Sequence, residues 1–244
     1  MKKINQILIT AGLFAITNSV SATVINFQSL ADDAGGVGES AWSTFNTTAY
    51  GANIDITSSP DDSFVYFDAG TAGLGVCSTG IAAAGVQGNV NGKVANVAYD
   101  GDGTNLCGDS GDDNVNIGSE SLTFEFNELT SLNSIWVNSN HDPDTSLTGD
   151  TVLLSVNGGA ASSFMLTAAE LLDEGGLGYR IDLGIGTTGF DALFAIGDTL
   201  TIAFDPSSTG QQFYVSALDV PEPAIVALLG LGLVGIGFAR RTRK

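Results

Sequence analysis

Short runs in which apolar and polar residues alternate recur through the middle of the chain, and turn-forming residues separate them. A period of two places alternate side chains on opposite faces of a strand, whereas an amphipathic helix requires a period near 3.6. The runs that predict strands are residues 24–27, 54–57, 63–67, 94–99, 121–126, 132–138, 151–156, 163–166, 178–183, 199–204 and 213–218. Short strands without a long crossover helix predict an all-β fold, specifically a two-sheet antiparallel β-sandwich of jelly-roll-like arrangement.

Turn residues predict which neighbouring runs form hairpins. Residues 151–156 end at Asn157-Gly158-Gly159, a strong signal for a tight turn, so residues 163–166 should pair back onto them. Residues 132–138 follow residues 121–126 after a short connection and are expected to be their hairpin partner.

One short helix is expected at residues 167–172. Thr167 and Glu170 have the spacing of a capping box, and Gly175-Gly176 follow as a stop signal.

The charge of the chain is strongly asymmetric. It has 27 acidic and 8 basic residues, and only Lys93 and Arg180 among the basic ones lie between the terminal segments. A domain this acidic repels phosphate backbones, so nucleic acid is excluded as a partner. It favours solubility and attracts divalent cations.

The N-terminus has the pattern of a secretory signal peptide at residues 1–22. Lys2 and Lys3 precede an apolar stretch at residues 7–16, and Val20-Ser21-Ala22 places small residues at the −3 and −1 positions of a cleavage site. The alternative is a buried first helix. Cleavage would leave a mature chain beginning near Thr23.

The C-terminus predicts a single membrane-spanning helix. Residues 224–239 are uncharged and apolar, and a helix of that length reaches about 24 Å, against about 30 Å of hydrocarbon core. Basic side chains that follow at once can extend the span by snorkelling and keep that end cytoplasmic; they are Arg240, Arg241, Arg243 and Lys244.

The order of features at this end resembles the PEP-CTERM sorting signal of Gram-negative bacteria. Pro221-Glu222-Pro223, a Gly- and Leu-rich apolar helix and a terminal Arg cluster follow one another at the end of the chain. The resemblance covers residues 220–244 and implies recognition by an exosortase, processing near the Pro-Glu-Pro, and traffic to the cell surface or extracellular matrix. Pro221, Glu222 and Pro223 are then substrate residues rather than catalytic ones. The alternative is a plain membrane anchor preceded by a proline stop.

These signals divide the chain into a signal peptide at 1–22, an acidic β-sandwich at 23–219 and a sorting segment at 220–244. They predict export, transient anchoring in the inner membrane through residues 224–239 with the domain in the periplasm, and final placement at the cell surface or outside the cell.

Cys77 and Cys107 are the two cysteines of the chain. An even number of cysteines in an exported protein predicts a disulfide, with two free thiols as the alternative.

A cluster of acidic residues offers a candidate calcium site. Carboxylates alternate with glycines in residues 100–113, and an ion could be held by Asp100, Asp102, Asp109 and Asp112. The loop departs from the EF-hand pattern, since Asn105 holds the required Gly position and Gly111 the position of the bidentate Glu. The alternative is a solvated acidic loop, and the sequence indicates no cofactor other than this calcium ion.

Two further features could carry chemistry. His141 is the sole histidine and has carboxylates nearby, but turn formers flank it, so a loop position is favoured over a metal or catalytic role. Six aromatic residues could form a sugar-stacking platform if they shared one exposed face, or could simply fill the core: Trp42, Tyr50, Tyr66, Tyr99, Trp136 and Tyr214.

The sequence therefore predicts a non-enzymatic exported protein, structural or adhesive in an exopolysaccharide or biofilm context, with exosortase as partner and extracellular polysaccharide as a second one. The alternatives are a carbohydrate-binding sandwich and a secreted hydrolase.

Overall fold

Seventeen strands and one short α-helix make up the regular structure of the described residues. The computed structural model describes residues 22–33, 36–78, 93–96, 107, 114–116, 120–139, 146–169, 171, 176–183, 193–208 and 212–221. The strands are β1 (Ala22–Asn26), β2 (Ser40–Trp42), β3 (Phe45–Asn46), β4 (Ile54–Ser59), β5 (Phe64–Asp68), β6 (Gly73–Cys77), β7 (Lys93–Asn96), β8 (Val115–Asn116), β9 (Ser121–Phe126), β10 (Thr130–Ser131), β11 (Ser134–Asn138), β12 (Thr151–Val156), β13 (Ser162–Met165), β14 (Tyr179–Asp182), β15 (Leu193–Phe194), β16 (Thr199–Phe204) and β17 (Gln212–Pro221). The helix α1 (Phe27–Ala31) follows β1, and a 3₁₀ turn (Thr48–Tyr50) precedes β4.

The strands form two large antiparallel sheets. The nine-stranded sheet has the order β14-β11-β17-β6-β5-β2-β7, and β1 and β8 also pair with β17. The six-stranded sheet has the order β13-β12-β16-β9-β4-β3, and β10 and β15 form a separate two-stranded ribbon. The predicted antiparallel β-sandwich is confirmed.

The inward faces of the two sheets share one hydrophobic core. Along β9 the buried residues are Leu122, Phe124 and Phe126, as the period of two predicts. They join the same buried cluster as Ile135 and Val137 of β11 in the other sheet. Burial of large apolar side chains between the sheets supplies the main stabilisation of such a fold.

The predicted hairpin between 121–126 and 132–138 is wrong. β9 pairs with β4 and β16, whereas β11 pairs with β14 and β17 in the opposite sheet. The chain crosses between sheets through β10, which pairs with β15 instead. Alternation of apolar residues shows which face of a strand is buried but not which strand lies beside it.

The hairpin at 151–165 is confirmed, with Leu154 opposite Ser162. Asn157 and Gly158 both have positive φ, and the Gly159 amide donates to the Val156 carbonyl at 2.8 Å. These are the features of a type I′ turn.

The predicted helix at 167–172 is wrong in its described residues. Residues 168 and 169 lie in a turn, and Leu171 bridges to Tyr179. The Thr167 hydroxyl accepts from the Ala169 amide, two residues ahead, so its side chain closes a turn and does not cap a helix. The α-helix of the described chain is α1, and the Asn26 side chain caps it by accepting from the Ser29 amide at 2.9 Å.

Six strands were missed: β2, β3, β6, β8, β10 and β15. β6 is the clearest case, since all five of its residues are buried and two of them are glycines, so no polar alternation marks it. β3, β8, β10 and β15 have only two residues each, too few to show a period.

Candidate sorting and processing site

The last strand of the sandwich contains the first residue of the Pro-Glu-Pro motif. β17 runs from Gln212 to Pro221, and its residues from Phe213 to Val220 are all buried. Pro221 itself is only half-buried. Proline lacks the backbone N–H that a strand donates, so a regular ladder cannot continue through two closely spaced prolines. Within the described residues, β17 ends where the motif starts.

The first strand of the domain lies directly beside this point. β1 pairs with β17 in antiparallel register, with Ala22 opposite Pro221 and Thr23 opposite Val220. Ala22 is the residue after which signal-peptide cleavage is predicted. The predicted N-terminal cleavage site and the start of the Pro-Glu-Pro therefore face each other across one strand pair.

We call this end of the sandwich the tail end. It contains the start of β1, the finish of β17, and the loops at 51–53, 127–133 and 195–198. The three loops lie at the tail end because β4 and β16 start at this end of the sandwich and β9 finishes at it. Ile54 lies opposite Phe126, and Thr199 lies opposite Glu125. An added Cβ on Gly51 would lie 2.7 Å from Thr23 Cγ2, which places the first of these loops against β1.

Asp219 is a polar residue near the motif that the sequence did not single out. Its Oδ2 accepts from Asn133 Nδ2 at 3.2 Å, and its backbone carbonyl accepts from the Asn133 amide at 2.9 Å. Ser134 lies directly opposite Asp219 in the neighbouring strand. These bonds connect the residue that precedes β11 to the end of β17. Asp219 lies two residues before the motif.

Four buried polar side-chain atoms of this sheet have no hydrogen-bond partner among the described residues. They are Ser134 Oγ, Trp136 Nε1, Arg180 Nε and Asp219 Oδ1, on the adjacent strands β14, β11 and β17. The Arg180 guanidinium lies 5.5 Å from the centre of the Trp136 ring, a cation–π contact. Buried water ordinarily satisfies such groups.

The loops of the tail end are closed by side-chain hydrogen bonds. The Asp198 carboxylate accepts from Asn157 Nδ2 at 2.9 Å and from the Ala195 amide at 2.7 Å. These two bonds, Asn157 first, hold the pKa of Asp198 below the usual value for an aspartate. Glu128 Oε1 accepts from the Asn53 amide at 2.7 Å. Both carboxylates therefore fasten loops.

The predicted disulfide is present. Cys77 and Cys107 are bonded, with Cα atoms 5.7 Å apart and a sequence separation of 30. Both are buried in a small cluster with Ala41 and Tyr66. The bond joins the end of β6 to the segment that follows β7.

The candidate calcium ligands Asp100, Asp102, Asp109 and Asp112 lie outside the described residues, as does His141. Within the described part of the chain, no group of three or more His, Cys, Asp or Glu side chains is close enough to hold a metal ion.

The aromatic residues are used mainly for packing. Tyr66, Trp136 and Tyr214 are buried. Trp42 and Tyr50 are half-buried and contact Phe45, with ring centres 5.0 and 6.0 Å away. Burial, with a smaller contribution from Asp33, raises the pKa of Tyr50. Because none of these five aromatic residues is fully exposed, they form no exposed stacking platform. Tyr99 lies outside the described residues.

The remainder of the predicted tail lies outside the described residues: Glu222, Pro223, the apolar run 224–239 and the basic cluster Arg240, Arg241, Arg243 and Lys244. The predicted signal peptide, apart from Ala22, does so as well. No helix in the described ranges has the length and apolar character of a membrane span.

A known sorting motif matches the end of the chain, and the match begins within β17. Residues 219–244 match the family model described as the PEP-CTERM protein-sorting motif, beginning at Asp219, two residues before the sheet ends. No curated protein matches the chain, and no solved structure does. The chain is therefore a protein that carries the PEP-CTERM sorting motif, which supports its export and its sorting by an exosortase.

Proposed function

We propose that this is a non-enzymatic cell-surface or extracellular-matrix protein, structural or adhesive in an exopolysaccharide or biofilm. In this proposal an exosortase processes the chain at Pro221-Glu222-Pro223 while residues 224–239 anchor it in the inner membrane. The acidic sandwich is then the part delivered to the outside. It binds no nucleic acid, because its surface carries almost no basic residues to contact phosphates.

The observation that carries the proposal is the position of Pro221 at the end of β17. A chain cut after this residue retains all the strands of both sheets that the structure describes. A cut upstream would remove residues that pair with β1 and β11. Processing at the motif would therefore leave the described strands of both sheets intact.

Composition supports the structural role. The chain has 27 acidic residues, 32 glycines and a disulfide between Cys77 and Cys107. A disulfide suits an oxidising compartment outside the cytoplasm. A dense acidic surface stays soluble and attracts divalent cations, which can bridge it to acidic polysaccharide.

The sorting step is tested by replacing Pro221, Glu222 and Pro223 with alanine in cells that have an exosortase. We expect the variant to remain unprocessed in the membrane fraction, while the parent protein reaches the surface or matrix. Mass spectrometry of each fraction reads the processing. The matched control replaces Asp205, Pro206 and Ser207, another acid and proline in an exposed loop, and should be processed normally. Normal processing of the motif variant would contradict the proposal.

The structural role is tested by deleting the gene and comparing the mechanical cohesion of the matrix. We expect loss of cohesion, restored by the parent gene but not by the motif variant. Unchanged cohesion would count against a structural role. Saturable binding of the purified protein to a defined glycan would support a carbohydrate-binding module instead, and turnover of that glycan would support a hydrolase.

A further inference from the structure

Three large apolar side chains are exposed together at the tail end of the sandwich. Leu129 is 60% exposed, Leu193 56% and Ile196 75%. Leu129 directly precedes β10, Leu193 is the first residue of β15, and Ile196 lies in the turn that follows β15. Because β10 pairs with β15, the three side chains lie around one two-stranded ribbon.

The ribbon belongs to the tail end because of the register of β11. Ser134 begins β11 opposite Asp219 near the finish of β17, and β10 ends only three residues before Ser134. The apolar side chains therefore lie at the end from which the sorting tail leaves.

The ribbon is held firmly, so its exposed side chains have a fixed direction. Phe194 is buried and stacks on Phe126 with ring centres 4.2 Å apart. The Gly197 amide donates to the Phe126 carbonyl at 2.8 Å, and the Asp198 amide donates to the Ala195 carbonyl at 3.1 Å. Ile196 lies at the tip of this closed turn. Exposing large apolar side chains to water is unfavourable, and burying them against another surface would be stabilising.

The short connection between the sandwich and the predicted anchor limits how far the exposed apolar side chains can lie from the membrane. Only Glu222 and Pro223 separate Pro221 from the apolar run that begins at Ala224. Three residues reach at most about 10 Å. The headgroup layer adds about 5 to 8 Å on each side of the hydrocarbon core. An anchored chain therefore holds the tail end at the bilayer surface.

We propose that the tail end of the anchored protein lies on the lipid bilayer, with Leu129, Leu193 and Ile196 inserted at its interface. The inference rests on the proposed anchoring of residues 224–239 and adds a lipid contact to it. Apolar side chains at the headgroup and acyl boundary gain by leaving water. The nearby acids Glu128 and Asp198 already bond to backbone amides of the loops, which partly satisfies their carboxylates.

Contact with lipid is tested on the full chain reconstituted in phosphatidylcholine vesicles. An environment-sensitive fluorophore is attached at Ile196→Cys, and in a second variant at Met165→Cys. Met165 is 64% exposed and pairs with Thr151, at the opposite end of the sandwich, so it is a matched control. Vesicle flotation reports anchoring, and a non-reducing peptide map verifies that Cys77–Cys107 is intact in both variants.

We expect both variants to float, with emission shifted to shorter wavelength at position 196 and unchanged at position 165. Replacing Leu129 and Leu193 by asparagine should reduce the shift at position 196. Flotation without a shift at 196 would overturn the lipid contact while leaving anchoring intact. A shift that appears only when exosortase is added would assign the surface to the enzyme and overturn the proposal. Failure to float would overturn it together with the anchoring on which it rests.

Discussion

Single residues with positive φ decide several connections of the sandwich. Asn157 and Gly158 close the β12–β13 hairpin, and their sequence predicts the turn because both residue types tolerate this conformation. Gly178 is a different case. It also has a positive φ, but the reason for glycine there is tertiary, since the backbone of Val137 and Asn138 packs against its Cα.

Gly178→Ala should destabilise the fold by more than Gly149→Ala. Both residues have positive φ, +93° and +96°, which alone costs an alanine about 1–2 kcal/mol. An added Cβ at 178 would lie 2.4 Å from the Val137 carbonyl oxygen, whereas nothing lies within 4 Å at 149. Overpacking against backbone adds about 1–3 kcal/mol. Urea denaturation of the two variants measures the difference, and equal losses of unfolding free energy would show that the contact with Val137 relaxes freely.

At the scale of the element, the neighbours of a strand matter more than its own pattern. β9, β12 and β16 alternate as predicted because each has one face on the core and one toward solvent. β6 and β17 do not alternate, because both of their faces are covered. β6 also ends at Cys77, so the disulfide fixes the end of a fully buried strand to a distant segment.

Reducing the disulfide should lower the free energy of unfolding by about 3–4 kcal/mol. The bond closes a loop of 30 residues, and the loss of loop entropy in the unfolded chain sets this magnitude. Urea midpoints with and without reductant measure it. A variant with Cys77 and Cys107 both replaced by alanine should be insensitive to reductant. If the parent protein were equally insensitive, the bond would contribute nothing to stability.

At the scale of the whole sandwich, the last described strand joins the start of the domain to its end. β17 pairs with β1, β6, β8 and β11, so the two ends of the domain meet in one sheet. A chain that is synthesised from its N-terminus can complete this sheet only after β17 has been added. The predicted signal peptide and the sorting motif therefore both adjoin the tail end, since Ala22 lies opposite Pro221.

A chain that ends after Pro221 should fold, and one that ends after Ser208 should not. The first keeps every described strand, whereas the second loses β17 with its eight consecutive buried residues. Each large core side chain lost costs about 2–5 kcal/mol, and the total exceeds the usual 5–15 kcal/mol of a domain. Cooperative urea unfolding distinguishes the two. A cooperative transition in the shorter chain would mean that β1 and β11 hold together without β17.

The local features of this protein could be predicted from its residues alone. These features are the strand period, the Asn157-Gly158 turn, the pairing of the two cysteines and the order of signals in the sorting tail. Each depends on residues that are close together in sequence or on their type. Which strands are neighbours depends on the folded structure. In the folded chain β9 and β11 lie in different sheets, a turn replaces the expected helix near Thr167, and Ala22 lies beside Pro221. Strands that are distant in sequence can pair with the same edge, and the local pattern does not show which of them does so. The folded structure also brings Leu129, Leu193 and Ile196 together at the end from which the tail departs.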